Sequence, residues 1–278
     1  MKNLRIDSHQ HFWKVSRGDY DWMTLEFELI NHDFLPDDLQ PILNELNIDG
    51  TIVVQAAPTL AETKYILSLA EKTPFIFGVV GWIDMLARDA VAMLEELSTN
   101  NILRGIRPML QDIVGDDWVL QDVLIPVFQS LIDLQLTFDA LIFPRHLKHI
   151  IRLVERFPDL KIVIDHGAKP LIAKNHFEPW AKELALLAEH KNVFCKLSGL
   201  VTAAGEGWTK KQMLPYMDHI IQCFGSDRIM WGSDWPVLTL VSHYQDWYRF
   251  CGDYVAENKL DATAIFGRTA QKFYNLVS

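Results

Sequence analysis

Cysteine is scarce in this chain: Cys195, Cys223 and Cys251 are the three thiols among 278 residues, and no two stand in C-x-x-C spacing. An odd, widely spaced set excludes a disulfide framework and predicts reduced core thiols, as in a cytoplasmic protein. No uninterrupted apolar run of about 18 residues occurs, which excludes a spanning helix. The first residues enter a strand without the basic-then-apolar pattern of an export signal. Positive charge is in deficit, with 26 Lys and Arg against 36 Asp and Glu and a formal net charge of −10. That balance argues against nucleic acid and against an anionic membrane surface as partner. Glycine is missing from the turn after the first strand and appears only at Gly18. An open doubly wound sheet would place a glycine-rich phosphate turn there. Low-complexity tracts, repeats and linkers are absent too, so residues 1–278 are expected to form one domain.

What the chain does have is rhythm. Short apolar, β-branched runs centre near Ile6, Val53, Phe77, Ile106, Phe138, Val163, Phe194 and Ile229, each followed by apolar residues at helical spacing. The helices expected between them include Pro36 onward, Leu60 to Lys72, Val119 to Leu134, Phe177 to His190 and Gln212 to Phe224. Near-continuous apolar strands are the kind buried on both faces. Eight strand–helix units in about 250 residues is the arithmetic of an α/β protein with a single (β/α)8 TIM barrel. The aromatic segment 14–32 is too long for an ordinary connection and reads as a packed flap.

In such a barrel the carboxyl ends of the strands converge on one rim, where the site is expected. Residues at those predicted ends are His9, His11, Gln55, Trp82, Arg107, Asp139, His166, Lys196 and Asp234. Strand alternation sends His9 and His11 to the same face. Two imidazoles on one strand tip can grip a cation or polarise a carbonyl. Arg107 suits a substrate carbonyl, hydroxyl or carboxylate. Trp13, Trp22, Trp82, Trp208 and Trp235 lie at or after strand ends, and such rings suit the C–H faces of a polyol. Tyr20, Trp208 and the loop from Leu200 to Lys211 are expected to form a mobile cover.

Three stretches carry a resemblance: Asp7-Ser8-His9-Gln10-His11-Phe12-Trp13, Ile164-Asp165-His166-Gly167-Ala168-Lys169-Pro170 and Trp231-Gly232-Ser233-Asp234-Trp235-Pro236. In this order, with Gly105 to Pro108 and Lys196 to Gly199 between them, the chain resembles the amidohydrolase superfamily, and within it the lactonase branch of sugar-lactone and 2-pyrone-4,6-dicarboxylate hydrolases. The resemblance implies that Asp234 activates water, with His9, His11 and His166 as the other catalytic groups. It also implies that these four could hold one divalent ion, Zn or Mn, although metal-free members polarise the carbonyl with the histidines directly. No bridging lysine occupies the fourth strand, where Arg107 sits, so two metals are not expected. Gln55, Trp82, Arg107, Lys196, Trp22 and Trp208 are the expected substrate contacts.

The reaction expected from this is hydrolysis of an aldono-1,4- or 1,5-lactone, such as a fucono-, rhamnono- or galactono-lactone. The alternatives are a lactonase or decarboxylase for a dicarboxylic or aromatic acid, and an inactive binding barrel. A dianionic substrate would require several rim cations, and only Arg107 and Lys196 stand among the predicted strand ends. The expected partner is a small molecule, and the sequence leaves association into a homo-oligomer open.

Overall fold

The computed structural model describes residues 3–276. Its strands run β1 Ile6–Gln10, β2 Gly50–Val54, β3 Ile76–Gly81, β4 Leu103–Ile106, β5 Thr137–Ala140, β6 Ile162–Ile164, β7 Val193–Leu197 and β8 Ile229–Trp231. Every strand expected from the sequence is present. All neighbours pair in parallel in the order β1 to β8. The chain beyond β8 then returns to β1, where His11 N donates to Trp235 O at 2.7 Å and Asp234 N to His9 O at 2.8 Å. These contacts complete a (β/α)8 TIM barrel.

Helices α1 Pro36–Leu46, α2 Leu60–Ala70, α3 Ala90–Ser98, α4 Ile125–Asp133, α5 Leu147–Arg156, α6 Trp180–Ala188, α7 Leu200–Ala204, α8 Lys210–Phe224, α9 Tyr244–Glu257 and α10 Thr269–Phe273 surround it. Their starts follow local chemistry. Pro36 opens α1 with Asp37 and Asp38 in the first turn, where carboxylates meet the positive end of the helix dipole. Thr209 caps α8, accepting from Gln212 N, while Gln212 reaches back to Thr209 N. The helix expected from Val119 to Leu134 is narrower. Two 3-10 turns, Trp118–Leu120 and Asp122–Leu124, precede α4, which begins only where Pro126 presets the backbone.

The main core lies between the strands and the helices, with Leu39, Val53, Leu94, Phe138, Leu184 and Trp247 fully buried. A smaller cluster inside the barrel joins Ile6, Val54, Val163 and Met230 to Phe273 and Tyr274. The C-terminal segment therefore reaches into the barrel. The flap is ordered around Trp13, whose ring meets Trp22 at 5.6 Å and Phe34 at 5.5 Å, both edge-on. No helix is long and apolar enough to cross a membrane among the described residues.

Candidate active site

Strand β1 brings His9 and His11 to the rim, the turn after β6 brings His166, and the loop after β8 brings Asp234. The Nε2 atoms of His11, His9 and His166 stand 3.3, 3.7 and 3.8 Å from a single oxygen, Asp234 Oδ1. Local backbone makes this convergence: His166 and Asp234 both adopt left-handed φ, 55° and 61°, a sparsely populated conformation that collects at functional sites. Two glycines make room. A Cβ at Gly199 would lie 2.5 Å from the His166 ring, and one at Gly232 would lie 2.7 Å from His9 Cβ.

Each imidazole is held by its other nitrogen. His11 Nδ1 lies 2.7 Å from Val54 O, so it carries the proton and leaves Nε2 with a lone pair. His166 Nδ1 lies 2.8 Å from Ser198 Oγ. His9 Nδ1 faces Lys196 Nζ at 3.1 Å and Asp165 Oδ1 at 3.4 Å. Burial pushes His166 down to about 4 and His9 well below the usual imidazole range, so both are neutral near pH 7. Burial pushes Asp234 up, but the imidazoles grouped around its Oδ1, His166 foremost, outweigh it and hold the carboxyl well below the usual range.

Three imidazoles and a carboxylate whose donor atoms face one another at these spacings suit a divalent cation with nitrogen and oxygen ligands. His9, His11 and Asp234 form one compatible set and His9, Asp165 and His166 another. The free Nε2 lone pair of His11 and the ionised Asp234 fit that chemistry.

A cavity of about 380 Å³ opens onto this cluster. His11, His166, Arg107, Asp234 and Trp22 line it, as do Lys169, Gln111 and Asp112, which sequence reasoning had not placed in the site. Arg107 is largely engaged already. Its Nε and Nη2 donate to Gln55 Oε1 at 3.2 and 2.8 Å, Nη2 also to Gln55 O, and Nη1 to Asp165 Oδ2 at 3.2 Å. Gln55 is thus the holder of Arg107 and does not line the cavity. Lys196 is fully buried beneath the site, donating to Asp139 Oδ2 at 2.7 Å and ion-paired to Asp165 at 3.0 Å. Its expected contact with substrate gives way to a structural position, because a lysine within β7 points into the sealed barrel.

Three tryptophans diverge. Trp22 lines the cavity and donates Nε1 to Ala56 O at 2.7 Å. The backbone N and O of Trp82 are both tied to Thr63 Oγ1, and its side chain is not among those lining the cavity. Trp208 packs on Phe250 at 5.6 Å and borders a separate surface recess. The expected cover divides: α7, residues 200–204, contributes Thr202 to the cavity wall, whereas Tyr20 is buried against Trp13 and Trp208 faces elsewhere. Asp165, beside His166, and Asp7 are further members of the cluster that residue type and strand position alone do not predict. Asp7 accepts from Ser233 N at 2.9 Å, His9 N at 3.1 Å and Tyr244 Oη at 2.8 Å, and so ties β1 to the loop after β8.

A (β/α)8 barrel with three imidazoles and an aspartate at the carboxyl ends of its strands has the donor set of a polar hydrolase site. The amidohydrolase family model matches residues 6–276, and the chain belongs to that family. It is 42% identical to the L-fucono-1,5-lactonase of Burkholderia ambifaria, covering 98% of this chain and 96% of that one. It is 34% identical to the L-fucono-1,5-lactonase of Burkholderia multivorans, covering 99% and 97%. A crystal structure of an amidohydrolase from Burkholderia multivorans with bound zinc superposes with a TM-score of 0.91 at 33% identity, covering 99% of this chain and all of that one.

Proposed function

We propose that this chain is a lactonase that opens the cyclic ester of a sugar acid, an aldono-1,5- or 1,4-lactone, with Asp234 as the base on water. The observation that carries the reading is the meeting of three imidazole Nε2 atoms on Asp234 Oδ1 at the floor of a cavity walled on one side by tryptophan. Full-length likeness to two L-fucono-1,5-lactonases supports a sugar lactone as substrate, with the fucono-, rhamnono- and galactono-lactones first in line.

Ester hydrolysis needs a proton acceptor for water and positive charge where the oxyanion forms. Asp234 is ionised, but a carboxyl held this low is a weak base alone. The water must therefore meet positive charge at the same point. Arg107, fixed by Gln55 and Asp165, and the cluster of imidazoles supply the polar face that receives the carbonyl oxygen. Asp234 then returns its proton to the departing ring oxygen. His9, His11, His166 and Asp234 are the residues that would hold a divalent ion, which when bound makes water more acidic and polarises a carbonyl. We place the protein in the cytoplasm, on its three free thiols.

The dicarboxylate and aromatic-acid readings lose support from the geometry. Lys196 is sealed behind two aspartates and Arg107 is largely engaged, which leaves Lys169 to meet a second carboxylate, with Asp112 on the same wall.

The test is acid release from a panel of aldonolactones, set against 2-pyrone-4,6-dicarboxylate. Wild type should prefer a sugar lactone, and Asp234→Asn should stay folded while kcat falls by roughly a thousandfold or more. Preference for the dicarboxylate, or near-normal turnover by folded Asp234→Asn, would end this reading. Elemental analysis decides the metal: about one ion per chain, released on acidification as the imidazoles protonate, supports the cation, and full activity after chelation removes it.

A further inference from the structure

Four consecutive residues, His166, Gly167, Ala168 and Lys169, lie at positive φ of 55°, 57°, 64° and 49°. Single left-handed residues are ordinary in loops, whereas a run with three non-glycine members is strained and persists only where its surroundings hold it. Trp180 holds this one, donating Nε1 to Gly167 O at 2.7 Å. The tight left-handed turn delivers two side chains to one cavity, His166 and, three residues on, Lys169.

The Lys169 ammonium has no carboxylate within ion-pair distance among the described residues. It donates to Gln111 Oε1 and stands 5.6 Å from the centre of the Phe143 ring. An ammonium has three donors, and this contact with a neutral amide uses one. Largely buried charges are normally paired, so donors left over at a cavity wall mark a place for an acceptor. Gln111 in turn donates Nε2 to Asp112 Oδ2 at 3.1 Å, and both residues line the cavity. The wall thus offers an ammonium donor, an amide and a carboxylate acceptor in series. Neighbouring hydroxyls, each both donor and acceptor, match that series. A second carboxylate on the substrate would meet Lys169 but be repelled by Asp112.

We propose that Lys169, Gln111 and Asp112 form a subsite that reads the hydroxyls of the lactone away from its carbonyl. Lys169 is then the residue that sets preference for polyhydroxylated over unsubstituted rings. The assignment rests on the lactone-hydrolysis reading above.

The experiment compares kcat/KM for L-fucono-1,5-lactone and for δ-valerolactone, which has no hydroxyls, in wild type, Lys169→Met and Lys169→Arg. Lost hydrogen bonds to a charged donor should cut the sugar-lactone to valerolactone ratio by about ten- to a hundredfold in Lys169→Met, mainly through KM. Lys169→Arg should recover part of that ratio. Equal losses on both substrates, or a loss confined to kcat, would overturn the assignment. If wild type opens neither lactone, the hydrolysis reading fails by itself and binding decides the subsite. Calorimetry with the uncharged 1,5-lactam of the same sugar should then show about tenfold weaker binding to Lys169→Met than to wild type. Equal affinity would overturn it.

Discussion

Lys196 and Lys169 stand on neighbouring βα units, the first within β7 and the second just past β6, and both lie near the three histidines. Their charges are handled in opposite ways. Lys196 Nζ meets Asp139 at 2.7 Å, Asp165 at 3.0 Å and His9 Nδ1 at 3.1 Å, all fully buried. Its three donors match three partners. Lys169 meets one amide oxygen and a cavity. One lysine is therefore a fixed part of the barrel interior, while the other remains available to a ligand. Nearness to a catalytic cluster does not by itself make a cation a substrate contact; what matters is how many of its donors the protein has already claimed.

Substituting each lysine by methionine gives the largest separation. Lys196→Met leaves Asp139 buried without its cation and Asp165 with Arg107 alone, which should cost about 3–5 kcal/mol of stability. Lys169→Met removes a charge that has no ionic partner and should leave stability unchanged or slightly raised. Urea unfolding of both variants checks this. A Lys196→Met protein as stable as wild type would mean that the interior pairs are no better than hydrophobic packing.

These differences were only partly legible in the sequence. Most of the eight strands could be read as apolar runs, even where β6 and β8 keep only three residues, whereas β1, Ile6-Asp7-Ser8-His9-Gln10, could be read from its spaced histidines. His9, His11 and Asp234 could be read because strand ends converge in a barrel. Asp165 could not, since strict alternation would send Asp165 and His166 to opposite faces. The left-handed turn that starts at His166 defeats alternation and turns both side chains inward. Lys169 depends on the same turn, and no residue type announces four successive positive φ angles when only one is glycine. Lys196 departs from expectation for a plainer reason: position at a strand end says nothing about which layer of the barrel a side chain enters, while Trp208 lies past α7, which carries it out to Phe250.

A third buried charge shows what the cations contribute. Glu62 is as buried as Asp165, but it accepts only neutral donors, Ala56 N at 2.9 Å and Ala57 N at 3.0 Å. Burial pushes it up to about 7, whereas Lys196, His9 and Arg107 overcome burial at Asp165 and hold that carboxyl well below the usual range. A raised carboxyl gives stability that is full below its unfolded value of 4.5 and is lost as pH rises through about 7. The stability of wild type relative to Glu62→Gln should therefore fall between about pH 4.5 and 7, by up to about 3 kcal/mol. Thermal melts of the two proteins across that range test it, and parallel curves would show that the backbone donors suffice to ionise Glu62 normally.

The smallest effect concerns the floor of the sealed layer. Tyr274, just past α10, reaches up into the barrel and donates Oη to Asp139 Oδ2 at 2.6 Å, the same oxygen that Lys196 holds. Tyr274→Phe keeps the ring, which packs edge-on against Phe273 at 4.9 Å, and removes one hydrogen bond to a charged group. The expected cost is about 1.5–3 kcal/mol, at the lower end because Asp139 also retains the bond from Thr137 Oγ1 at 3.0 Å. Turnover is the sharper measurement. The path from Tyr274 to the site runs through Asp139, Lys196 and then His9 Nδ1, so it ends on a histidine but touches no substrate. If the interior pairs only support the barrel, kcat/KM of Tyr274→Phe stays within about twofold while the midpoint of unfolding drops. A tenfold loss of kcat without further loss of stability would show instead that this buried chain sets the orientation of His9, and the line between the sealed lysine and the open one would have to be redrawn.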